Sequence, residues 1–159
     1  MRESIRIYEV KSGYIGYLSN YQKHIFVQTE GKEKRKYIGI VFKIRGMNYF
    51  APLSSYKDKH KTMKESVDII KIKTYAVINL NNMIPVPDSQ IVRVDIDKEK
   101  DLNYRYLLHA ESREVNRQRD RIRKNAEIVY SHKKSEGNST PLAKRTNDFE
   151  LLEKLCREY

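Results

Sequence analysis

The chain has 159 residues, 39% hydrophobic and 33% charged, enough apolar material for one buried core and too much for a disordered chain. Its 32 lysines and arginines outnumber 21 acids, a formal net charge of +11 that favours a polyanionic partner, nucleic acid or an anionic surface. A single cysteine, Cys156, excludes an internal disulfide and a cysteine-type metal cluster. No run approaches the roughly 20 apolar residues of a membrane span, and the N-terminus lacks the apolar stretch of a signal peptide. The expected location is cytoplasmic, with no membrane partner.

In chain order, "SIRIYEV" alternates and predicts a short strand. "SGYIGYLSNYQKHI" carries Tyr14, Tyr17, Leu18 and Tyr21 at helical spacing, with Ser12 as the expected cap. A charged loop, "TEGKEKRK", leads into residues 37–44, where Ile38, Ile40, Phe42 and Ile44 fall on one face at period two. Gly46 marks a turn, and "MNYFAPL" returns as the partner strand, expected to end at Pro52 for want of an N–H. "APLSSYKDKHK" then forms a basic loop. "SVDIIKIKTYAVINL" reads as one or two strands, "MIPVPDSQ" as a proline-broken connection, and "IVRVDI" as an alternating strand.

Composition changes near Asp97. From residue 102 to about 132 there is no proline or glycine, and Tyr104, Leu108, Val115, Ile122, Ala126 and Val129 recur at helical spacing. One long amphipathic helix is predicted there. "NDFELLEKLCREY" predicts a last helix, with Asn147 as cap and Glu150 three residues on. The expected architecture is α+β in a single domain over residues 1–159: a sheet-rich core to about residue 96, then helices from about 101.

Charge is uneven. Between residues 30 and 73 there are twelve lysines and arginines against five acids, interleaved with Tyr37, Tyr49 and Tyr56. Clustered cations neutralise phosphates, and interleaved aromatic rings stack on unpaired bases. A second cationic group, Arg113, Arg117, Arg119, Arg121, Arg123 and Lys124, spreads around the long helix as a solvated face would. Only weak apolar residues lie opposite it, which argues against a membrane surface.

The four histidines (His24, His60, His109, His132) have no metal-ligand spacing, and no glycine-rich phosphate loop is present. No metal and no cofactor are expected. RNA cleavage without metal needs help in removing the 2′-hydroxyl proton, cations at the phosphate and a donor to the departing 5′-oxygen. Ser55, Lys57, His60, Arg35 and a tyrosine supply such groups. Ser54 and Ser55 equally suit a turn after Leu-Pro, and Lys57 equally suits a solvated surface. A non-catalytic RNA-binding module remains the alternative at this point. A DNA-binding regulator with the arginine-rich helix in a groove is a third reading.

"YIGYL", "YIGIVFKIRGMNYFAPLSSYKDKHKTMKES" and "INLNNMIPV", in this order, resemble the toxin endoribonucleases of type III toxin–antitoxin systems, the ToxN/AbiQ family. The similarity runs in pieces from about Tyr8 to Val86. It implies a compact, strongly twisted antiparallel sheet similar to the MazF/Kid toxins, with packed helices. It implies a metal-independent, sequence-selective endoribonuclease that leaves 2′,3′-cyclic phosphate ends. The expected partners are a target RNA and a repeated pseudoknot antitoxin RNA, processed by the toxin and joined with it in a closed complex. By the resemblance, the active-site serine falls on Ser55, with Ser54 where threonine is common. The nearby lysine falls on Lys57, the following histidine on His60, and the N-terminal tyrosine on Tyr14. Arg35 stands where lysine is usual, which keeps the charge but removes a neutral amine. Lys36, Lys59, Lys61, Lys64 and Tyr56 are expected to hold RNA.

Overall fold

The computed structural model describes residues 3–23, 25 and 35–159. His24 and most of the charged loop before residue 35 lie outside these. The sheet begins with β1 (Arg6–Val10), followed by a short helix, α1 (Ser12–Ser19). Ser12 opens that helix rather than capping it. The cap position is Lys11, whose side chain makes no capping bond.

β2 (Lys36–Ile44) and β3 (Met47–Ser55) form the expected hairpin. Arg45 and Gly46 close it at φ 47° and 77°, the left-handed pair that a two-residue loop requires to follow the strand twist. The period-two reading of β2 holds only in part. Gly39 pairs with Phe50 and Phe42 with Tyr49, so Ile40 and Val41 bulge out of register. Ile38, Phe42 and Ile44 keep one face, where Val41 joins them, whereas Ile40 packs against the opposite cluster. β3 also runs on past Pro52 to Ser55. Pro52 lies between the part of β3 that pairs with β6 and the part that pairs with β5, a gap that tolerates a missing N–H.

A one-turn helix, α2 (Asp58–Thr62), leads to the hairpin β4 (Ile69–Ile72) and β5 (Ala76–Asn79). Then come the short β6 (Ile84–Pro85) and β7 (Ile91–Arg93), the latter ending before the expected Ile96. The sheet is antiparallel in the order β4-β5-β3-β2-β1-β7, with β6 beside β3. β3 is thus the central strand.

The predicted long helix is two helices, α3 (Leu102–Arg117) and α4 (Arg119–Glu136), broken at Gln118. There the Gln118 amide side chain donates to the Lys71 carbonyl at 3.3 Å and to Glu114 Oε2 at 2.9 Å, diverting the chain onto the sheet. Asn116 clamps α3 to the β1 edge through both backbone groups of Ile5. A further helix, α5 (Pro141–Arg145), which the sequence reading missed, is capped by Thr140. The last helix, α6 (Phe149–Glu158), is capped by Asp148, not Asn147. Asn147 is fully buried and donates to the Met83 carbonyl at 3.2 Å, so its amide serves the interior instead.

One core cluster joins β1 to β5 with α3 and α4, through Ile7, Ile38, Tyr49, Ile70, Ile78, Leu108, Ile122 and Val129. The second joins Tyr14 and Leu18 of α1 to Tyr37, Phe50, Ile84, Leu152 and Leu155. Helices therefore cover both faces of the sheet, and the α+β expectation holds. Among the described residues no helix is long and apolar enough to cross a membrane.

Candidate active site

The end of β3, the start of α2, β5 and one side of α3 enclose a cavity of about 490 Å³. Seven of the residues singled out from the sequence line it: Arg35, Lys36, Ser54, Ser55, Lys57, Lys59 and His60. Their convergence follows from strand pairing. Ser54 and Ser55 lie opposite Val77 and Ala76 of β5, and Leu53 opposite Lys36 of β2. The two hydroxyls are thereby held against neighbours on either side.

Ser54 is half-buried, and its Oγ accepts from Asn79 Nδ2 at 2.8 Å and Arg35 Nη1 at 3.2 Å. With both lone pairs engaged, its O–H is left to donate outward. Ser55 is exposed at the rim and makes no side-chain hydrogen bond with the described residues. Lys57 is extended at the start of α2, and its backbone N–H donates to His60 Nδ1 at 2.7 Å. Accepting at Nδ1 leaves the ring proton on Nε2. His60 is buried, and burial, with Lys59, Lys57 and Lys71 around it, lowers its pKa below the ordinary histidine value. The ring is therefore a neutral imidazole that donates from Nε2. Burial also lowers the Arg35 pKa, but a guanidinium stays charged.

Lys36 is buried, its ammonium 2.7 Å from Glu9 Oε2 and 5.5 Å from the Tyr104 ring centroid. It lines the cavity as part of an internal ion pair, not as a surface cation reaching for phosphate. Lys61 and Lys64 are exposed and outside the lining, and Lys61 pairs with Asp58 at 3.4 Å. Tyr56 lies behind His60, ring centroids 5.5 Å apart.

Tyr14 departs most from the sequence reading. It is completely buried, its hydroxyl donates to the Pro85 carbonyl at 2.6 Å, and it does not line the cavity. Burial drives its pKa far above the ordinary tyrosine value. Its proton is committed to a backbone acceptor, so the structure assigns it to the core beneath β6 and corrects its expected place among the reacting groups.

The sequence reading missed Tyr75, Asn79, Tyr104, Leu107 and Glu111, which with Leu53 complete the lining. A signal for Glu111 was available. Tyr104, Leu108, Glu111 and Val115 follow helical spacing along the apolar stripe of α3, and the acid interrupts it. Burial pushes the Glu111 carboxyl up to about 7, although the nearby Lys36 charge pulls the other way.

Residues 6–157 match the family described as toxin ToxN, type III toxin–antitoxin system. The endoribonuclease AbiQ of Lactococcus lactis subsp. lactis is 31% identical, over 96% of this chain and 88% of its own. The endoribonuclease ToxN of Bacillus thuringiensis subsp. kurstaki is 28% identical, over 99% and 86%. The solved structure of AbiQ, a lactococcal anti-phage endoribonuclease, matches with a TM-score of 0.85 at 27% identity, over 99% of this chain and 98% of that one. A second solved structure, from work on selective toxin inhibition by a non-coding RNA pseudoknot, matches with a TM-score of 0.87 at 27% identity, over the same shares. Cavity, fold and sequence agree, and the chain belongs to the ToxN family of type III toxin–antitoxin toxins.

Proposed function

We propose that this chain is an endoribonuclease toxin that cleaves RNA without a metal, by attack of a ribose 2′-oxygen on the adjacent phosphorus. The 2′-O–P bond forms, the P–O5′ bond breaks, the 2′-hydroxyl loses a proton and the 5′-oxygen gains one. The products are a 2′,3′-cyclic phosphate and a 5′-hydroxyl. The observation that carries this reading is the meeting of Ser54, Ser55, Lys57, Arg35 and the Nε2–H of His60 at one cavity.

Arg35 and Lys57 supply positive charge for the phosphate, where fixed charge matters most in the transition state. The Ser54 hydroxyl, held by Arg35 and Asn79, is preorganised to donate to a phosphate oxygen. The neutral His60 ring donates from Nε2, to a phosphate oxygen or to the departing 5′-oxygen. Ser55 has no adjacent base, so its role is to orient the reacting groups and not to attack or to take a proton. Arg35 cannot exchange a proton, so its contribution is charge alone. Cellular control of this cleavage rests with an antitoxin RNA of folded pseudoknot repeats. AbiQ and ToxN carry the name endoribonuclease, and a ToxN-family match spanning residues 6–157 supports carrying that activity over.

The test is cleavage of cellular RNA by purified chain and its Ser55→Ala variant, with and without EDTA. Loss of one orienting or charge-stabilising donor is expected to slow cleavage about 100-fold or more, with EDTA leaving the parent rate unchanged. Full cleavage by Ser55→Ala would overturn the site assignment, and loss of activity in EDTA would overturn the metal-free mechanism.

A further inference from the structure

The cavity is chemically divided. One wall, from the end of β3 and the start of α2, carries hydroxyls and cations. The other comes from α3 and carries Tyr104, Leu107 and Glu111, an aromatic ring, an aliphatic chain and a carboxyl on one helix face. Glu111 is only 5% exposed and makes no hydrogen bond with the described residues. Its carboxyl oxygens are not sealed in the core but open onto the cavity, where a ligand can reach them. Lys36, whose charge acts on Glu111, hydrogen-bonds to Glu9 at 2.7 Å. A carboxyl is also the wrong charge for a surface that holds phosphate alone.

We propose that the α3 wall is a nucleobase seat, in which Tyr104 and Leu107 flank the base and Glu111 hydrogen-bonds to its Watson–Crick edge. The reading rests on the nuclease assignment of the same cavity and adds what that assignment lacks, a group able to distinguish bases. An ionised carboxylate offers two acceptors, which match the N1–H and N2–H of guanine. A protonated one offers a donor and an acceptor, which match N1 and N6–H of adenine or N3 and N4–H of cytosine. Uracil presents N3–H between two carbonyls: those repel the ionised carboxylate, whereas a protonated carboxyl accepts from N3–H and donates to O4. The ionised seat therefore favours guanine and rejects uracil. The position of the Glu111 pKa, about 7, leaves both carboxyl forms available near neutrality.

The experiment uses the full chain carrying Ser55→Ala, which keeps bound RNA intact, and measures binding of the pentanucleotides UUAUU, UUCUU, UUGUU and UUUUU by fluorescence anisotropy. At pH 8, where the carboxylate form of Glu111 prevails, the all-uridine probe is expected to bind about tenfold more weakly than UUGUU, the discrimination of one good base contact. Adding Glu111→Gln is expected to bring UUUUU to within about twofold of the others, because an amide can accept from N3–H and donate to O4. A role limited to shape or stability would weaken all four probes alike. An unchanged ranking in the glutamine variant overturns the base seat, as does failure of the Ser55→Ala chain to bind any probe. Wild-type cleavage measured in parallel separates the two readings: cleavage without base ranking overturns only the seat, and ranking without cleavage overturns only the nuclease.

Discussion

Glu111 is the residue at which stability and recognition pull apart. Its folded-state pKa of about 7 lies above the ordinary 4.5 of a glutamate, so the folded chain holds that proton more tightly than the unfolded chain does. Below the ordinary value both states are protonated and the group is neutral toward folding. As pH rises from there to about 7, the unfolded chain ionises first, and stability falls by an amount on the order of 3 kcal/mol. The charged groups around it are Lys36 from β2, Glu9 beyond it on β1, and Arg35, Lys57 and Lys59 across the cavity, with the neutral His60 ring beside them. Urea unfolding of the parent and of Glu111→Gln at pH 5 and pH 8 measures this. The glutamine chain is expected to gain stability relative to the parent as pH rises, and parallel pH profiles would contradict the buried, unpaired carboxyl.

At the scale of elements, the hairpin is tied to the last helix by one buried acid. Glu153 of α6 accepts from Tyr49 of β3 at 2.7 Å, Tyr130 of α4 at 2.6 Å and Arg45 of the turn at 2.8 Å. Burial raises the Glu153 pKa, but the hydrogen bonds from Tyr130, Tyr49 and Arg45 outweigh it and hold the carboxyl below its ordinary range. Glu153→Ala removes the shared acceptor and strands two buried hydroxyls. The expected cost is about 3 kcal/mol in urea unfolding, with base ranking in the cavity unaffected. A loss well below 1 kcal/mol would mean that solvent replaces the carboxylate.

The fragments quoted from the sequence acquire reasons at this scale. Tyr14 of "YIGYL" reaches the carbonyl of Pro85 in "NNMIPV", and Asn79 of "INL" reaches the hydroxyl of Ser54 in "APLSS". A Cβ on Gly39 of "YIGIV" would land in the Phe50 ring, so that position demands glycine. The hairpin, the β4–β5 strands and the last helix were legible because local periodicity and turn chemistry specify them. The bulge at Ile40 and the break at Gln118 were not. Both depend on partners distant in sequence: the Phe50 and Tyr49 register in one case, the Lys71 carbonyl in the other.

Across the whole molecule, the excess of positive charge is smaller in effect than the count suggests. Lys36, Arg45, Arg121 and Arg145 pair with Glu9, Glu153, Glu65 and Asp68. Arg123 of the arginine-rich helix donates to the carbonyls of Ile40 and Glu3. These cations hold the fold. Arg35, Lys57 and Lys59 line the cavity, where the proposed cleavage puts the phosphate. For the proposed single-stranded substrate, log affinity is expected to fall linearly with log salt, and Lys57→Gln should reduce the slope by about 0.7, the share of one phosphate contact. An unchanged slope, measured by titrating the same pentanucleotides at several salt concentrations, would take Lys57 off the phosphate.

The sequence by itself determined the α+β class, the central hairpin and the short stretch in which Ser54, Ser55, Lys57 and His60 gather, because these depend on neighbours in the chain; that stretch is the end of β3 and the start of α2, not the expected loop. Only the tertiary structure decided what faces them. Packing of α1 on the sheet moved Tyr14 into the core, strand pairing put Lys36 beside Glu9, and the fold set a helix about fifty residues downstream against the end of β3. Such contacts are fixed by register and packing across the sheet, which no local pattern encodes.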